Sequence, residues 1–231
     1  MKRIILFMVA LVVCFIGINF LVYKNINETY STNENLIKKI SSDVPNYTKI
    51  DDIPKGLIDA IITVEDRRFF SHYGFDVIGI GRAFIANLKA GEVIQGGSTI
   101  TQQLAKNLFL SSEKKLTRKV KELYIAIKIE NDYSKEEILE MYLNCIYYGA
   151  GAYGIQNASQ TYFNKDVDEL TLVESALLAG LPQAPSGYNP KKYPERAKKR
   201  QGIVLDLMYK NRIIGKEVQE NLTKQSFFVF Q

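Results

Sequence analysis

Hydrophobic and polar positions follow two regimes along the chain. Ile4 to Val22 is a run of 19 residues without a charge, with Asn19 its only clearly polar side chain. As a helix it would be about 28 Å long, close to the hydrocarbon thickness of a bilayer. A cleaved secretory signal would have a shorter apolar core followed by a small-x-small site. Here the run continues through Phe20, Leu21 and Val22, and bulky Val13 spoils a lipoprotein box at Leu11 to Cys14. An uncleaved membrane span over residues 4–22 is therefore expected. Lys2 and Arg3 precede the run and only Lys24 follows closely, so positive charge holds residues 1–3 in the cytoplasm and places the body outside. Residues 23–50 are polar and rich in Asn, Ser, Thr and Glu. They read as a stalk, with some helix around Leu36, Ile37 and Ile40.

From Asp51 onward apolar residues recur at helical spacing, without sustained strand alternation. Pro54 opens a helix through Ile58, Ile61 and Ile62 toward Glu65. A second segment, Asp76 to Ala90, aligns Val77, Ile80, Phe84 and Leu88 on one face, with Arg82 and Lys89 at its edge. Gly91, Gly96 and Gly97 interrupt it. Further helices are predicted from about Ser98 to Phe109, Glu113 to Asn131 and Lys135 to Asn144, the last capped by Ser134. In the helix from Glu113, the apolar face is assigned to Leu116, Val120, Leu123 and Ile127. A glycine-rich turn at Tyr148 to Gly154 precedes helices at Ile155 to Phe163, Leu172 to Leu181 and Glu195 to Lys210. A loop through Pro182, Pro185 and Pro190 separates the last two. The pattern predicts one mainly α domain over residues 51–231.

Composition narrows the class. Hydrophobic residues make up 46% and charged residues 24%, which places the chain among folded proteins. The net charge of +5 suits an anionic membrane surface or a phosphorylated substrate, and is too weak to argue for nucleic acid. Two cysteines, one inside the apolar run, supply no disulfide framework. His72 is the only histidine, so a zinc site is not expected; it is read as a brace for the loop after Glu65.

Two acids stand out. Glu65 lies where an apolar helix end meets Asp66, Arg67 and Arg68, a boundary that desolvates a carboxylate and raises its pKa toward the range of a general base. Glu122 lies among Arg118, Ile125 and Ile129 by helical angle, and the rival reading is an Arg118–Glu122 surface ion pair. Gly96 to Gln103 is a glycine turn feeding a helix start dense in hydroxyls and amides, suited to a phosphate or sugar; an ordinary capped helix start has the same look. Lys106, Lys114, Lys115, Arg118 and Lys119 bring cations over a short stretch, as a diphosphate leaving group needs and as a solvated face also shows. Ser111 to Lys114 forms a Ser-x-x-Lys, but neither Ser-Asp-Asn nor Lys-Thr-Gly follows, so a transpeptidase centre is not indicated.

Five blocks in order resemble one family, the peptidoglycan glycosyltransferases of glycosyltransferase family 51. They are Glu65 to Gly74 (EDRRFFSHYG), Gly97 to Asn107 (GSTITQQLAKN), Arg118 to Glu122 (RKVKE), Ile138 to Asn144 (ILEMYLN) and Ala176 to Ser186 (ALLAGLPQAPS). The resemblance implies a lysozyme-like helical domain with a head lobe and a membrane-touching jaw lobe. It also implies polymerisation of lipid II into β-1,4 glycan strands, with release of undecaprenyl diphosphate on the outer face of the cytoplasmic membrane. Glu65 would be the general base and Glu122 would stand at the leaving group, with a divalent metal (Mg or Mn) as a candidate cofactor there. Asp66, Ser98, Thr99, Gln102, Gln103, Lys106, Asn107, Lys114, Arg118 and Lys119 would line the substrate sites. Some relatives carry arginine where Lys114 aligns, which puts bidentate phosphate binding there in doubt. Asp76 to Ala90 would belong to the jaw, against the alternative of a plain core helix. The expected partners are lipid II, the nascent glycan, the membrane and other wall-synthesis proteins. Rival functions are a lytic muramidase of the same fold and an inactive membrane scaffold.

Overall fold

The computed structural model describes residues 35–91, 96–110 and 116–225. The expected span at 4–22 lies outside the described residues, as do Lys114 and the Ser-x-x-Lys. Among the described residues no helix is long and apolar enough to cross a membrane. The body is mainly α, as its periodicity predicts.

Helix α1 (Leu36–Asp43) starts at Asn35, whose side chain accepts from Lys38 N. Leu36 and Ile40, one turn apart, are buried, and Leu36 N donates to Tyr133 Oη at 2.8 Å. The lower part of the expected stalk is therefore packed onto the domain, because its two buried apolar residues share one helical face.

Helix α2 (Lys55–Glu65) follows Pro54. Helices α3 (Val77–Ala90), α4 (Ile100–Phe109), α5 (Leu116–Asp132) and α6 (Lys135–Cys145) come next. Thr99 and Ser134 each form a capping box, with Gln102 and Glu137, so the polar residues before α4 and α6 fix where these helices begin. A two-stranded antiparallel hairpin, β1 (Tyr147–Gly149) and β2 (Ala152–Tyr153), replaces the expected turn. It is pressed into the core: Gly149 has φ 92°, and a Cβ there would stand 2.6 Å from Pro185 O. After it come α7 (Ile155–Phe163), α8 (Leu172–Gly180), α9 (Pro194–Lys210) and α10 (Lys216–Lys224). The chain pattern does not announce α10, which buries none of its residues.

Helix α6 is the axis of the core, with Ile138, Leu139, Met141, Tyr142 and Leu143 all buried. Helix α4 packs against α5 and α6, while α2 packs against α8 and α9. The segment before α2 is bolted to α6 by polar groups. Glu140 accepts from Tyr47 Oη at 2.7 Å, Lys49 Nζ at 3.1 Å and Ile50 N at 2.8 Å. Asn144 pairs with the backbone of Thr48 in both directions at 2.8 Å. Glu140→Ala strands these donors in a half-buried site. It is expected to cost about 3 kcal/mol, lowering the thermal midpoint by roughly 6–12 °C. A melt followed by far-UV circular dichroism checks this; an unchanged midpoint would deny the clamp its role.

One helix face differs from expectation, and another is decided between two readings. On α5 the buried residues among those described are Glu122, Ile125, Ala126, Ile129 and Glu130, whereas Val120 is exposed. The helix is thus rolled so that the face carrying Glu122 meets α4, since the isoleucine-rich stripe buries more apolar surface there than the one headed by Val120. Helix α3 is inside out. Gly79 and Ala83 face inward, while Val77, Ile78, Phe84, Ile85 and Leu88 are 54–72% exposed. The small inner residues bring the helix against Gly97, where a Cβ would lie 3.3 Å from Ile80 Cα.

Candidate active site

The last residue of α2 is Glu65, half-buried at the wall of a cleft. Gln103 on α4 donates Nε2 to Glu65 Oε2 at 2.8 Å, and Tyr142 on α6 donates Oη to Gln103 Oε1 at 3.3 Å. Burial raises the Glu65 pKa; the Gln103 hydrogen bond and the Arg200 charge pull it back, and the Asp66 charge pushes it up. The C-terminal end of α2 adds unfavourable dipole potential for an anion. Such a carboxyl is set up to accept a proton nearer neutrality than a surface glutamate does.

Across the cleft, α5 presents Arg118, Lys119 and Glu122, and α4 presents Lys106. Glu122 is 3% exposed. Its partner is Lys119 rather than Arg118: Lys119 Nζ contacts Glu122 Oε1 and also donates to Ser98 Oγ at 3.0 Å. The roll of α5 explains the change, because it sinks Glu122 toward α4 and leaves Lys119 at the rim. Arg118 Nε is buried without a hydrogen-bond partner among the described residues, which suits an anion supplied from outside the chain.

The cleft has a volume of about 500 Å³ and opens at Glu65, Gly96, Gln183 and Arg200 onto a second cavity of about 310 Å³. Arg67, Arg82, Ile203 and Asn211 line the second cavity. Glu65 thus stands between two concavities, the arrangement required when two sugar units must meet at one base.

Glu65, Ser98, Gln103, Lys106, Arg118, Lys119 and Glu122 all line the main cleft. Asp66, Thr99 and Gln102 do not; they form the wall behind it. Asp66 holds His72 Nε2 at 2.9–3.0 Å and accepts from Ile100 N at 3.0 Å. Thr99 donates Oγ1 to Gly74 O at 2.7 Å, and Gln102 Oε1 accepts from Thr99 N at 3.0 Å. The polar atoms that read as sugar ligands are taken up by the start of α4. Asn107 is exposed and also lies off the cleft lining.

Arg200 escapes the sequence reading. It is 9% exposed, donates Nε to Gly180 O at 3.1 Å, and lies with its charge toward Glu65. It follows Lys198 and Lys199 in what reads as a solvated basic run. Yet Ala197, Arg200, Gln201, Val204, Leu205 and Met208 form the buried stripe of α9, and that spacing is the signal that was available. Gln183, within the fifth block, also lines both cavities.

Among the described residues no group of three His, Cys, Asp or Glu is placed to hold a metal ion. Glu122 offers one carboxylate, already paired with Lys119. Among the described residues these donors make no protein cage for Mg²⁺, an ion that keeps phosphate and water oxygens among its ligands.

A family model described as Transglycosylase matches residues 33–209. Penicillin-binding protein 1A of Neisseria flavescens is 51% identical over 196 residues, covering 85% of this chain and 25% of that protein. Penicillin-binding protein 1A of Aquifex aeolicus is 48% identical over 203 residues, covering 88% and 28%. A crystal structure of penicillin-binding protein 1A from Haemophilus influenzae aligns at 27% identity with a TM-score of 0.48, over 80% of this chain and 18% of that one. The chain spans about a quarter of the length of the two relatives compared by sequence. With the family model covering most of the chain and half of the residues identical to these relatives, the chain belongs to the transglycosylase family, the peptidoglycan glycosyltransferases of family 51.

Proposed function

We propose that the chain polymerises lipid II into peptidoglycan glycan strands by inverting glycosyl transfer. The observation that carries this is the raised carboxyl of Glu65 on one wall of a cleft that also holds Lys106, Arg118 and Lys119. Glu65 takes the proton from the acceptor 4-hydroxyl as that oxygen attacks the donor anomeric carbon. The bond from the anomeric carbon to the diphosphate oxygen breaks on the opposite face, so the α-linked donor becomes a β-1,4 product. The electron pair leaves with the undecaprenyl diphosphate, whose charge is met by the cations. Lys119, held by Glu122 and Ser98, is the fixed member of that group. A divalent ion carried in on the diphosphate would add charge neutralisation beside Glu122.

The family's lysozyme-like, two-lobed architecture and an anchor at 4–22 belong to the same reading, with the domain on the extracytoplasmic face. The exposed apolar face of α3, flanked by exposed Arg82 and Lys89, would lie on the lipid that carries the substrate. A gel assay of polymer from lipid II, run beside hydrolysis of purified cell wall, tests the proposal. Polymer from lipid II supports it; glycan cleavage without polymerisation would make the protein a muramidase, and inertness toward both a scaffold.

Cation removal gives a finer test. Lys106→Ala and Arg118→Ala are each expected to weaken binding of diphosphate-bearing substrate by about 1.5–3 kcal/mol, the worth of a charge-assisted hydrogen bond. Substrate titration by fluorescence reads it, and parent-like affinity in both variants would place the diphosphate elsewhere.

A further inference from the structure

The described structure contains a buried side-chain chain that ends on the proposed base and that the mechanism above does not use. Tyr142 is fully buried on α6, and its hydroxyl meets Gln103 Oε1 at 3.3 Å while Gln103 Nε2 meets Glu65 Oε2 at 2.8 Å. An ionised carboxylate only accepts hydrogen bonds, so the amide must turn its NH₂ toward Glu65. Its oxygen then faces Tyr142, which must donate. We propose that Tyr142 is a positioning residue for Glu65, acting through the side-chain amide of Gln103 to hold it in the orientation that favours the ionised base.

The selectivity comes from what the reversed amide would cost. A protonated Glu65 has a proton to donate and would accept the opposite amide orientation, with Gln103 Oε1 facing it. In that orientation the Tyr142 O–H would lose its acceptor inside a fully buried site, which is unfavourable. Tyr142 therefore biases the pair toward carboxylate and NH₂ face to face. Among the described residues, the other charged or titratable groups facing Glu65 are Asp66 beside it, Arg200 from α9, the buried Tyr148 of β1 and, across the cleft, Lys106 of α4 with Arg118, Lys119 and Glu122 of α5. None of these touches the Gln103 amide in the hydrogen-bond network of the described residues, so the effect of Tyr142 is separable from theirs.

The inference rests on Glu65 being the base, and the experiment keeps the two apart. The pH dependence of kcat/KM for polymerisation is measured on the parent, Tyr142→Phe, Gln103→Leu, the double variant and Glu65→Gln. Tyr142→Phe keeps the ring and loses only the hydroxyl. Because the base must be ionised and its protonated form is now less disfavoured, the acid limb is expected to move to higher pH by about 0.5–1 pH unit. That is a three- to tenfold loss below the limb, with the plateau kcat and the KM little changed. In the Gln103→Leu background, Tyr142→Phe is expected to move the limb no further. An unmoved limb in Tyr142→Phe, or an equal shift when Gln103 is already leucine, overturns the inference. Full activity in Glu65→Gln would instead overturn the base assignment itself.

Discussion

Glu65→Gln is expected to reduce glycan polymerisation by roughly 10²–10⁴-fold, the usual worth of a positioned general base, without unfolding the protein. Glutamine matches the shape of the side chain at the end of α2 but cannot take a proton. The melting temperature supplies an independent check of the environment. Burial raises the folded pKa of Glu65 above its unfolded value, so its contribution to stability is present at low pH and is lost as pH rises through the folded pKa. At neutral pH the parent therefore carries the cost of a desolvated charge, and Glu65→Gln is expected to melt no lower than the parent. At low pH, where both side chains are neutral, any advantage of the variant should vanish. Near-normal turnover with an unchanged melt would remove Glu65 from the mechanism.

The second large effect is expected at the membrane. Replacing both Phe84 and Leu88 with serine is expected to weaken liposome binding by roughly 10²- to 10⁴-fold, because each apolar side chain contributes about 1.5–3 kcal/mol when fully transferred from water. These residues are 67% and 72% exposed, so the same change should alter folding stability by less than about 1 kcal/mol. A core position would lose several kcal/mol instead. Co-sedimentation with vesicles of anionic phospholipid, read beside a melting curve, decides it. Undiminished sedimentation would take the α3 face off the membrane.

The sequence by itself determined the helical class, the starts of most helices and the identity of the candidate base. These are legible because they depend on local order. Ser134 caps α6 through Glu137, Pro54 opens α2, and Glu65 sits where an apolar stripe runs into charge. Five ordered blocks likewise pointed to the family that the comparisons show. Tertiary structure alone decided which way each helix faces. The stripe headed by Val120 and the stripe containing Glu122, Ile125 and Ile129 are both readable on α5, and only contact with α4 selects the second. The amphipathic pattern of α3 fits a core or a lipid surface equally, and Gly79, Ala83 and Gly97 settle which side meets protein. Thr99 and Gln102 look like ligands in a list of residues but close their own helix start, while Arg200 reaches Glu65 from about 135 residues away. Periodicity records that a stripe is apolar or polar; which neighbour will cover it, and which polar atoms remain free for substrate, depends on contacts between segments distant in the chain.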